Sequence, residues 1–363
     1  MIVKNIELKN FRNYEYEKID FSPNINIIYG NNAQGKTNIL EGIYLFSMGK
    51  SNRTYHDEEL INFGREKAEL NMNFIGGKRD ISAQIIIKKK NRKSVSINEI
   101  PIKRNSDLVG RFNVVYFGPE CINIVKGAPS LRRKNIDIII SQLKSTYFSA
   151  LSEYKKAIDS KAALLKNGNI DRITLEILND KIIDLSLEII KYRFHYIKKI
   201  EKIASKIQNE ISRSNENLNI KYLSCAGIID EFNENKIKKD LQEKADKIIH
   251  KEIEFSKILF GVHRDDIEYF VNGRNVKNFG SQGQQKTVAL VQKIAEVNLI
   301  FDEIGEYPVL LLDDIMSELD ILRQEYILTK IKDMQIIITC TDKSRFNDLP
   351  NTKNIKIEKG RLI

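Results

Sequence analysis

The stretch Gly30–Thr37, read GNNAQGKT, fits the spacing G-x-x-x-x-G-K-[ST] and constrains this chain's fold more than any other segment. An apolar run, Asn26–Tyr29 (NIIY), leads straight into it, and a helical pattern leaves from Lys36. A strand that turns through glycines into a helix points several backbone N–H groups, and the positive end of the helix, at one place. That place suits a phosphate. In this arrangement Gly30, Asn31, Asn32, Ala33, Gln34 and Gly35 form the cradle. Lys36 brings a point charge to the β- and γ-phosphates, and the Thr37 hydroxyl is a candidate Mg²⁺ ligand. The alternative is a chance match in a glycine-bearing loop, and the strand and helix on either side argue against it.

A phosphate loop of this kind needs an acidic partner. Val309–Leu312 is an apolar strand that ends in two carboxylates, Asp313 and Asp314. Asp313 is the candidate for Mg²⁺, directly or through water. Asp314 is the candidate catalytic residue, orienting or deprotonating an attacking water. A buried strand running into an acidic turn would look the same if the phosphate loop were absent.

Between these two segments lies a second glycine-bearing stretch, Gly280–Thr287 (GSQGQQKT), also followed by a helical run. The Ser281 hydroxyl, the Gly283 amide and the helix start would direct positive character at an anion. An ordinary N-capped helix is the competing reading.

Around these motifs the chain divides by pattern. Up to about residue 125 it reads as strands: Val3–Leu8, Tyr14–Phe21, a meander over Lys67–Ile75, Asp80–Lys88 and Ser94–Asn98, and a buried-type strand Asn113–Phe117. From Leu131 to about Leu259 the pattern is helical, with one internal strand candidate, Asn219–Leu223. Ile200, Ile203, Ile207 and Ile211 share a helix face, and a similar stripe runs over Ile173–Ile190. Strands return at Ile267–Phe270 and Asn275–Asn278, flanking an Asn272-Gly273 turn. A helix over Gln284–Glu303, the strand Val309–Leu312, a helix over Leu322–Met334 and a strand Gln335–Cys340 then alternate in α/β fashion. The expected fold is therefore α/β: a phosphate-loop ATPase head with a mixed sheet and an antiparallel β subdomain, split by a helical insertion. Its segments are 1–130, 131–259 and 260–363.

Charge and cysteine content narrow the partners. Lys+Arg number 59 against Asp+Glu 49, a formal +10, which favours a polyanion such as nucleic acid. The same excess follows from a lysine-rich composition, so charge alone leaves both readings open. Cys121, Cys225 and Cys340 are scattered with no CxxC pair, which fits a reducing cytoplasm and argues against a zinc or disulfide framework. The N-terminal MIVKNIELKNF alternates like a strand, not like a signal peptide. No run approaches the ~18–20 apolar residues of a membrane span.

The order of phosphate loop, helical insertion, second loop and acidic strand resembles the SMC/Rad50/RecN group of DNA-associated ATPases, which carry ABC-type heads. Within that group the chain is similar to the RecF-like family. Leu8-Lys9-Asn10-Phe11-Arg12-Asn13-Tyr14, the phosphate loop with Asn38-Ile39-Leu40-Glu41, Ser51-Asn52-Arg53-Thr54 and Glu59-Leu60-Ile61 carry the match. So do Phe117-Gly118-Pro119-Glu120, Gly127-Ala128-Pro129, Arg132-Arg133 and Gly261-Val262-His263-Arg264-Asp265-Asp266. Val262 stands where the family's last motif has proline. The likeness covers nearly the whole chain, least closely in the helical insertion.

The resemblance implies roles that spacing alone does not. Ser281, Gln282, Gly283 and Gln284 would be a signature loop that caps the ATP of a second subunit, so that ATP and Mg²⁺ close a homodimer. Ser317 and Asp320, in Ser317-Glu318-Leu319-Asp320, would cross that dimer interface, although both residue types also favour helix caps. Asp314 is shorter than the glutamate of most ATP-binding cassettes. Thr339-Cys340-Thr341 stands where transporters place a switch histidine, and no Q-loop glutamine is evident. All three departures imply slow hydrolysis.

RecF-like proteins bind double-stranded DNA at single-strand/double-strand junctions, work with RecR and RecO, and help load RecA. They act in the cytoplasm, at the nucleoid. The candidates for phosphate contact are the hairpin tip, Lys88, Lys89, Lys90, Arg92 and Lys93, and Arg132 and Arg133 at the start of the insertion. Solvated turns are the plain alternative. Another SMC-like ATPase acting on DNA, or an ATP-binding scaffold without turnover, also fits these residues.

Overall fold

The computed structural model describes residues 1–167, 170–330, 333–346 and 349–363. The chain forms two compact units, Met1–Cys121 with Lys293–Ile363, and Ile122–Gln292.

In the first unit, two six-stranded sheets account for the strands among the described residues. One is antiparallel, from Tyr14–Asp20 through Ile2–Phe11, Lys67–Gly76, Arg79–Lys88 and Ser94–Ile97 to Ile100–Pro101. The other runs in the order Arg361–Leu362, Thr352–Glu358, Ile25–Tyr29, Ile336–Cys340, Val309–Asp313, Val114–Phe117, parallel apart from its first pair. Val309–Asp313 and Ile336–Cys340 are buried at every position. A parallel strand covered on both faces calls for continuous apolar sequence, which VLLLD and IIITC supply. Parallel pairing also brings the carboxyl ends of these strands to one end of the sheet, where α/β proteins collect ligand-binding groups.

The register decides what meets there. Asp313 lies opposite Thr339, and Cys340 lies opposite Tyr29, the last residue before the phosphate loop. The strand carrying the acids is therefore separated from the phosphate-loop strand by the Thr339 strand. The helix after the loop runs from Lys36 to Met48 and is buried along most of its length. Of the helix expected over Leu322–Met334, the structure gives Ile321–Lys330, and residues 331 and 332 lie outside the described residues.

The second unit holds the long helices Pro129–Leu143, Ser145–Lys166, Arg172–Ile211 and Glu234–Phe255, and a four-stranded antiparallel sheet. Arg172–Ile211 is a single helix of 40 residues, about 60 Å long at ~1.5 Å per residue. Asp171 starts it by accepting from the Ile173 and Thr174 amides. The two isoleucine stripes belong to this one helix, and Ile182, Ile190, Ile200 and Ile207 are all buried. Asn272 and Gly273 take positive φ, 49° and 75°, as a two-residue hairpin requires. The second strand of that hairpin is shorter than expected. It ends at Asn275, whose side chain accepts from the Lys277 amide at 3.0 Å and turns Val276–Phe279 into a helical turn. Among the described residues no helix is long and apolar enough to cross a membrane.

Candidate functional site

The phosphate loop is shaped by two close approaches of backbone. Gly30 has φ +154°, and a Cβ there would run into the Ile357 carbonyl oxygen. Gly35 has φ +103°, and a Cβ would come within 2.5 Å of the Asn13 side-chain nitrogen and 2.9 Å of the Tyr14 hydroxyl. These positions demand glycine for conformation and for space. The loop is held from outside as well: Asn13 donates to the Gln34 carbonyl at 3.1 Å and Tyr14 to the Gly35 carbonyl at 3.0 Å. The Gln34 side chain accepts from the Lys359 amide.

Lys36 folds back over its own loop, its Nζ donating to the Gly30 and Asn31 carbonyls at 2.7 and 2.8 Å. Burial pulls its ammonium below the ordinary lysine value, against the opposing pull of Asp314, Cys340 and Asp313. Thr37 donates to Asp313 Oδ1 at 2.9 Å, so the loop and the acidic strand, 276 positions apart, meet directly.

Asp313 is 5% exposed and accepts from two further hydroxyls, Thr339 at 2.7 Å on Oδ1 and Tyr116 at 2.9 Å on Oδ2. Burial, and then the Asp313 and Glu120 charges, raise the Tyr116 phenol far above its usual value, so it remains a donor. Asp314 follows in the left-handed region, φ +49°, with its amide shared between the Thr339 carbonyl (3.2 Å) and hydroxyl (3.0 Å). Its carboxyl is raised from the ordinary value by burial, with Lys36 opposing and Asp313 and Glu318 adding. A carboxyl pulled upward is better matched to accepting a proton near neutral pH. Thr37 and Asp313 offer one hydroxyl and one carboxylate, the hard, sparse oxygen set that Mg²⁺ takes while keeping waters and phosphate oxygens.

Arg12, Glu41, Ser51 and Arg53, from separate sequence blocks, converge beside the loop. Glu41 has a fully buried side chain and accepts from Arg12 at 2.7 and 2.9 Å, from Ser51 at 2.5 Å and from Arg53 at 3.4 Å. Arg53 also reaches Asn38 at 2.9 Å, and Asn38 reaches Asn13 at 2.8 Å.

After the acids, Ser317 donates to the Asp314 carbonyl at 2.8 Å, and Asp320 accepts from the Arg323 amide at 3.0 Å, capping the next helix. Gln324 ties the Met316 and Leu319 carbonyls to that helix at 2.6 and 2.8 Å.

Ser281–Gln284 belong to the other unit. The helix starts at Gln282, two residues before the expected Gln284, so Gln282, Gly283 and Gln284 form its first turn. Ser281 and Gln284 make reciprocal bonds: the Gln284 amide donates to Ser281 Oγ at 3.1 Å, and the Ser281 amide to Gln284 Oε1 at 3.0 Å. This capping box explains the early start. Ser281 keeps its own O–H to donate. Gln284 also donates to Glu216 at 2.8 Å, and Glu216 takes a second bond, 2.6 Å, from Gln208 on the 40-residue helix.

Arg132 is not a surface cation, and Arg133 is only partly one. Arg132 is 2% exposed, forms a two-pronged pair with Asp266 at 2.7 and 2.9 Å, and donates to the Gly127 carbonyl at 2.8 Å. Arg133 donates to the Asp265 carbonyl at 2.6 Å and is half-buried. Asp265 in turn pairs with Arg193 at 2.6 Å and accepts from Tyr222 at 2.5 Å. Arg132 thus fastens its helix to the sheet of its unit and has no exposed face for DNA, whereas Arg133 is tied on one side and stays part-exposed. His263 accepts or donates at 2.7 Å with Tyr154, while Arg264 is exposed. At the hairpin tip Lys88, Lys90 and Arg92 are exposed; Lys89 pairs with Glu66 at 3.0 Å and Lys93 with Asp57 at 2.8 Å.

Sequence reasoning missed Tyr116, Glu216 and the anchoring part played by Thr339. Tyr116 sits at the third position of a four-residue apolar strand and could have been suspected only from its polar tip among aliphatics.

The chain matches the family described as RecF/RecN/SMC N terminal domain over residues 2–362. It is 40% identical over 370 residues to the DNA replication and repair protein RecF of Bacillus velezensis, covering 100% of both chains. It is 39% identical over 365 residues to that of Clostridium perfringens, covering 100% of this chain and 99% of the relative. Among solved structures it is similar to the recombination mediator protein RecF-ATP in the RecFOR pathway. The TM-score is 0.93 at 36% identity, with 100% of this chain and 97% of the other covered. An Smc head domain with an extended coiled coil from Pyrococcus furiosus has a TM-score of 0.58 at 18% identity, covering 100% and 96%, which is a likeness of fold. The family resemblance read from the motifs is thus borne out, as is the ABC-type α/β head.

Proposed function

Because the chain belongs to the RecF/RecN/SMC family, and to its RecF branch, we propose that it is an ATP-driven DNA clamp of recombinational repair: it dimerises on ATP, binds double-stranded DNA at single-strand/double-strand junctions and hydrolyses ATP slowly. The observation that carries the nucleotide half of this reading is the 2.9 Å bond between Thr37 and Asp313, which joins phosphate loop and acid at one end of the sheet.

In this reading the amides of Gly30–Thr37 cradle the β-phosphate, and Lys36 exchanges its two carbonyl partners for phosphate oxygens. Thr37 and Asp313 would hold Mg²⁺, whose charge offsets that gathering on the phosphates. Asp313 is steadied for this by Tyr116 and Thr339. Asp314, raised in pKa and fixed through its amide by Thr339, orients the attacking water and accepts its proton. Its short side chain makes the step slow, which suits a switch.

The first turn at Ser281–Gln284 would cap the γ-phosphate held by a second copy, with Ser317 and Asp320 at the same interface. That gives two sites related by a twofold axis. Closure on ATP and opening on hydrolysis then follow from the differential affinity of the two states for nucleotide. The relatives' names, a DNA replication and repair protein and a recombination mediator of the RecFOR pathway, support repair as the setting and RecR and RecO as partners; loading of RecA, in the cytoplasm at the nucleoid, is the further part of this proposal.

The test is ATP turnover and DNA binding measured together. DNA binding that requires ATP, with turnover raised by DNA and lost in Asp314→Asn, supports the clamp. Tight ATP binding with no turnover in either condition would leave only a scaffold.

A further inference from the structure

The turn Ser281–Gln284 faces solvent at Ser281, Gln282 and Gly283, and a carboxylate from another part of its unit is bonded to it. The Gln284 side chain makes the link. Its Oε1 accepts from the Ser281 amide at 3.0 Å, and its Nε2 donates to Glu216 Oε1 at 2.8 Å. The two partners decide its orientation: turned over, the amide would set its oxygen against a carboxylate and its nitrogen against an N–H. Glu216 therefore fixes the half of the capping box that holds the Ser281 backbone, and with it the place of the Ser281 hydroxyl.

Glu216 is itself built in. Its Oε2 accepts from Gln208 Nε2 at 2.6 Å, and its amide donates to Ser212 Oγ at 3.0 Å. Gln208 is fully buried and its side-chain oxygen has no partner among the described residues, so the bond to Glu216 anchors that amide. On either side of Glu216, the Asn272 side chain donates to the Asn215 carbonyl at 3.1 Å and accepts from the Asn217 amide at 2.8 Å. The chain reaches this place through strained backbone. Arg213 and Ser214, just past the 40-residue helix, both take left-handed φ, 52° and 65°, a region that residues with a Cβ seldom occupy. The Ser214 amide holds the bend by donating to the Asn209 carbonyl at 2.7 Å. The bend turns the chain back, so that residue 216 bonds to residue 208 of the helix it has just left. Strain of this kind persists where the surroundings over-determine it.

We propose that Glu216 is a positioning residue for the turn Ser281–Gln284: by holding the Gln284 side chain, it presets the Ser281 hydroxyl and the Gly283 amide for the γ-phosphate bound to a second copy. This rests on the reading of the turn as the half-site that closes the ATP dimer. Donors held in place before binding lose less freedom on binding, and a twofold axis applies that gain twice.

The test is sedimentation velocity of the full chain with Mg-ATP over a range of protein concentrations, with ATP affinity measured alongside on the dilute monomer. Glu216→Ala should leave the monomer's affinity for ATP unchanged and raise the dimer dissociation constant about a hundredfold, roughly tenfold for each of the two turns. Glu216→Gln keeps the shape and one acceptor oxygen, so it should fall between alanine and wild type; it carries the test if the alanine variant fails to fold. Lys161→Met, which breaks a buried ion pair of the same unit, should lose stability to urea without shifting dimerisation. That control separates positioning of the turn from general stability.

Glu216 variants that dimerise at wild-type concentrations would overturn the positioning role and leave the clamp reading standing. So would tighter dimerisation, which would make the carboxylate a repeller of phosphate, and so would an equal shift in Lys161→Met. Wild type that stays a monomer at saturating ATP would overturn the reading of the turn itself, and this role with it.

Discussion

Thr339→Val tests the arrangement around the two acids most sharply. Thr339 is 1% exposed, and its hydroxyl does two things: it donates to Asp313 at 2.7 Å and accepts from the Asp314 amide at 3.0 Å. Valine fills nearly the same volume, so little cavity cost is expected and the loss is one of hydrogen bonds. A bond to a charged acceptor contributes about 1.5–3 kcal/mol. Asp313 keeps Tyr116 and Thr37, and the Asp314 amide keeps the Thr339 carbonyl, which places the expected loss at about 2 kcal/mol. The chain has no tryptophan, so urea unfolding is best followed by far-UV circular dichroism. ATP turnover in the same variant should fall by about tenfold or more with ATP affinity little changed, since the loss falls on orientation of Asp314, the carboxylate proposed to accept the water's proton. Thr339→Ser should restore both. A valine variant within about 0.5 kcal/mol of wild type and with normal turnover would refute the view that Thr339 organises the acids.

Three further outcomes follow from buried charge. Arg12→Ala leaves the Glu41 carboxylate buried with Ser51 and a 3.4 Å contact to Arg53, so urea titration should register a loss of about 3 kcal/mol; under about 1 kcal/mol would contradict the pairing. Lys161→Met strips the partner, at 2.5 Å, from Glu252, which retains the Leu259 and Phe260 amides. The loss should again be about 3 kcal/mol, and it should shrink when combined with Glu252→Gln; equal losses with and without that change would show that the two do not interact. His263 is pushed down to about 4, first by burial and then by the Arg264 and Arg133 cations. Its folded pKa lies below the unfolded ~6.5, so protonation favours unfolding: its contribution is complete above about pH 6.5 and is lost as pH falls toward 4. His263→Asn should flatten the stability profile in that window, and an unchanged slope would assign the dependence elsewhere.

Much of the site was legible because its elements are local. GNNAQGKT and VLLLDD each carry their chemistry within a few residues, and continuous apolar runs identify buried parallel strands from sequence alone. What was not legible depended on register and on distant partners. Nothing near Thr339 says that it stands opposite Asp313, and nothing near Tyr116 says that its hydroxyl reaches the same carboxylate. Arg132-Arg133 reads as a surface cation pair until Asp265 and Asp266, over 130 positions later, draw both inward. The helix at Gln282 starts early because Ser281 and Gln284 cap one another, a bond that the glycine between them concealed. The hairpin at Lys88–Lys93 reads as a basic tip from its own residues, and nothing in them says that segment 57–66 engages part of its charge.

The central claim is that the two phosphate-seeking loops serve one nucleotide from two copies of the chain. The most direct measurement is solution mass by light scattering, with and without Mg-ATP, for wild type, Ser281→Arg and Lys36→Met. The account predicts that ATP converts wild type to a dimer, that Ser281→Arg binds ATP but stays a monomer, and that Lys36→Met neither binds ATP tightly nor dimerises. Wild type that remains a monomer at saturating ATP, or Ser281→Arg that dimerises normally, would contradict it.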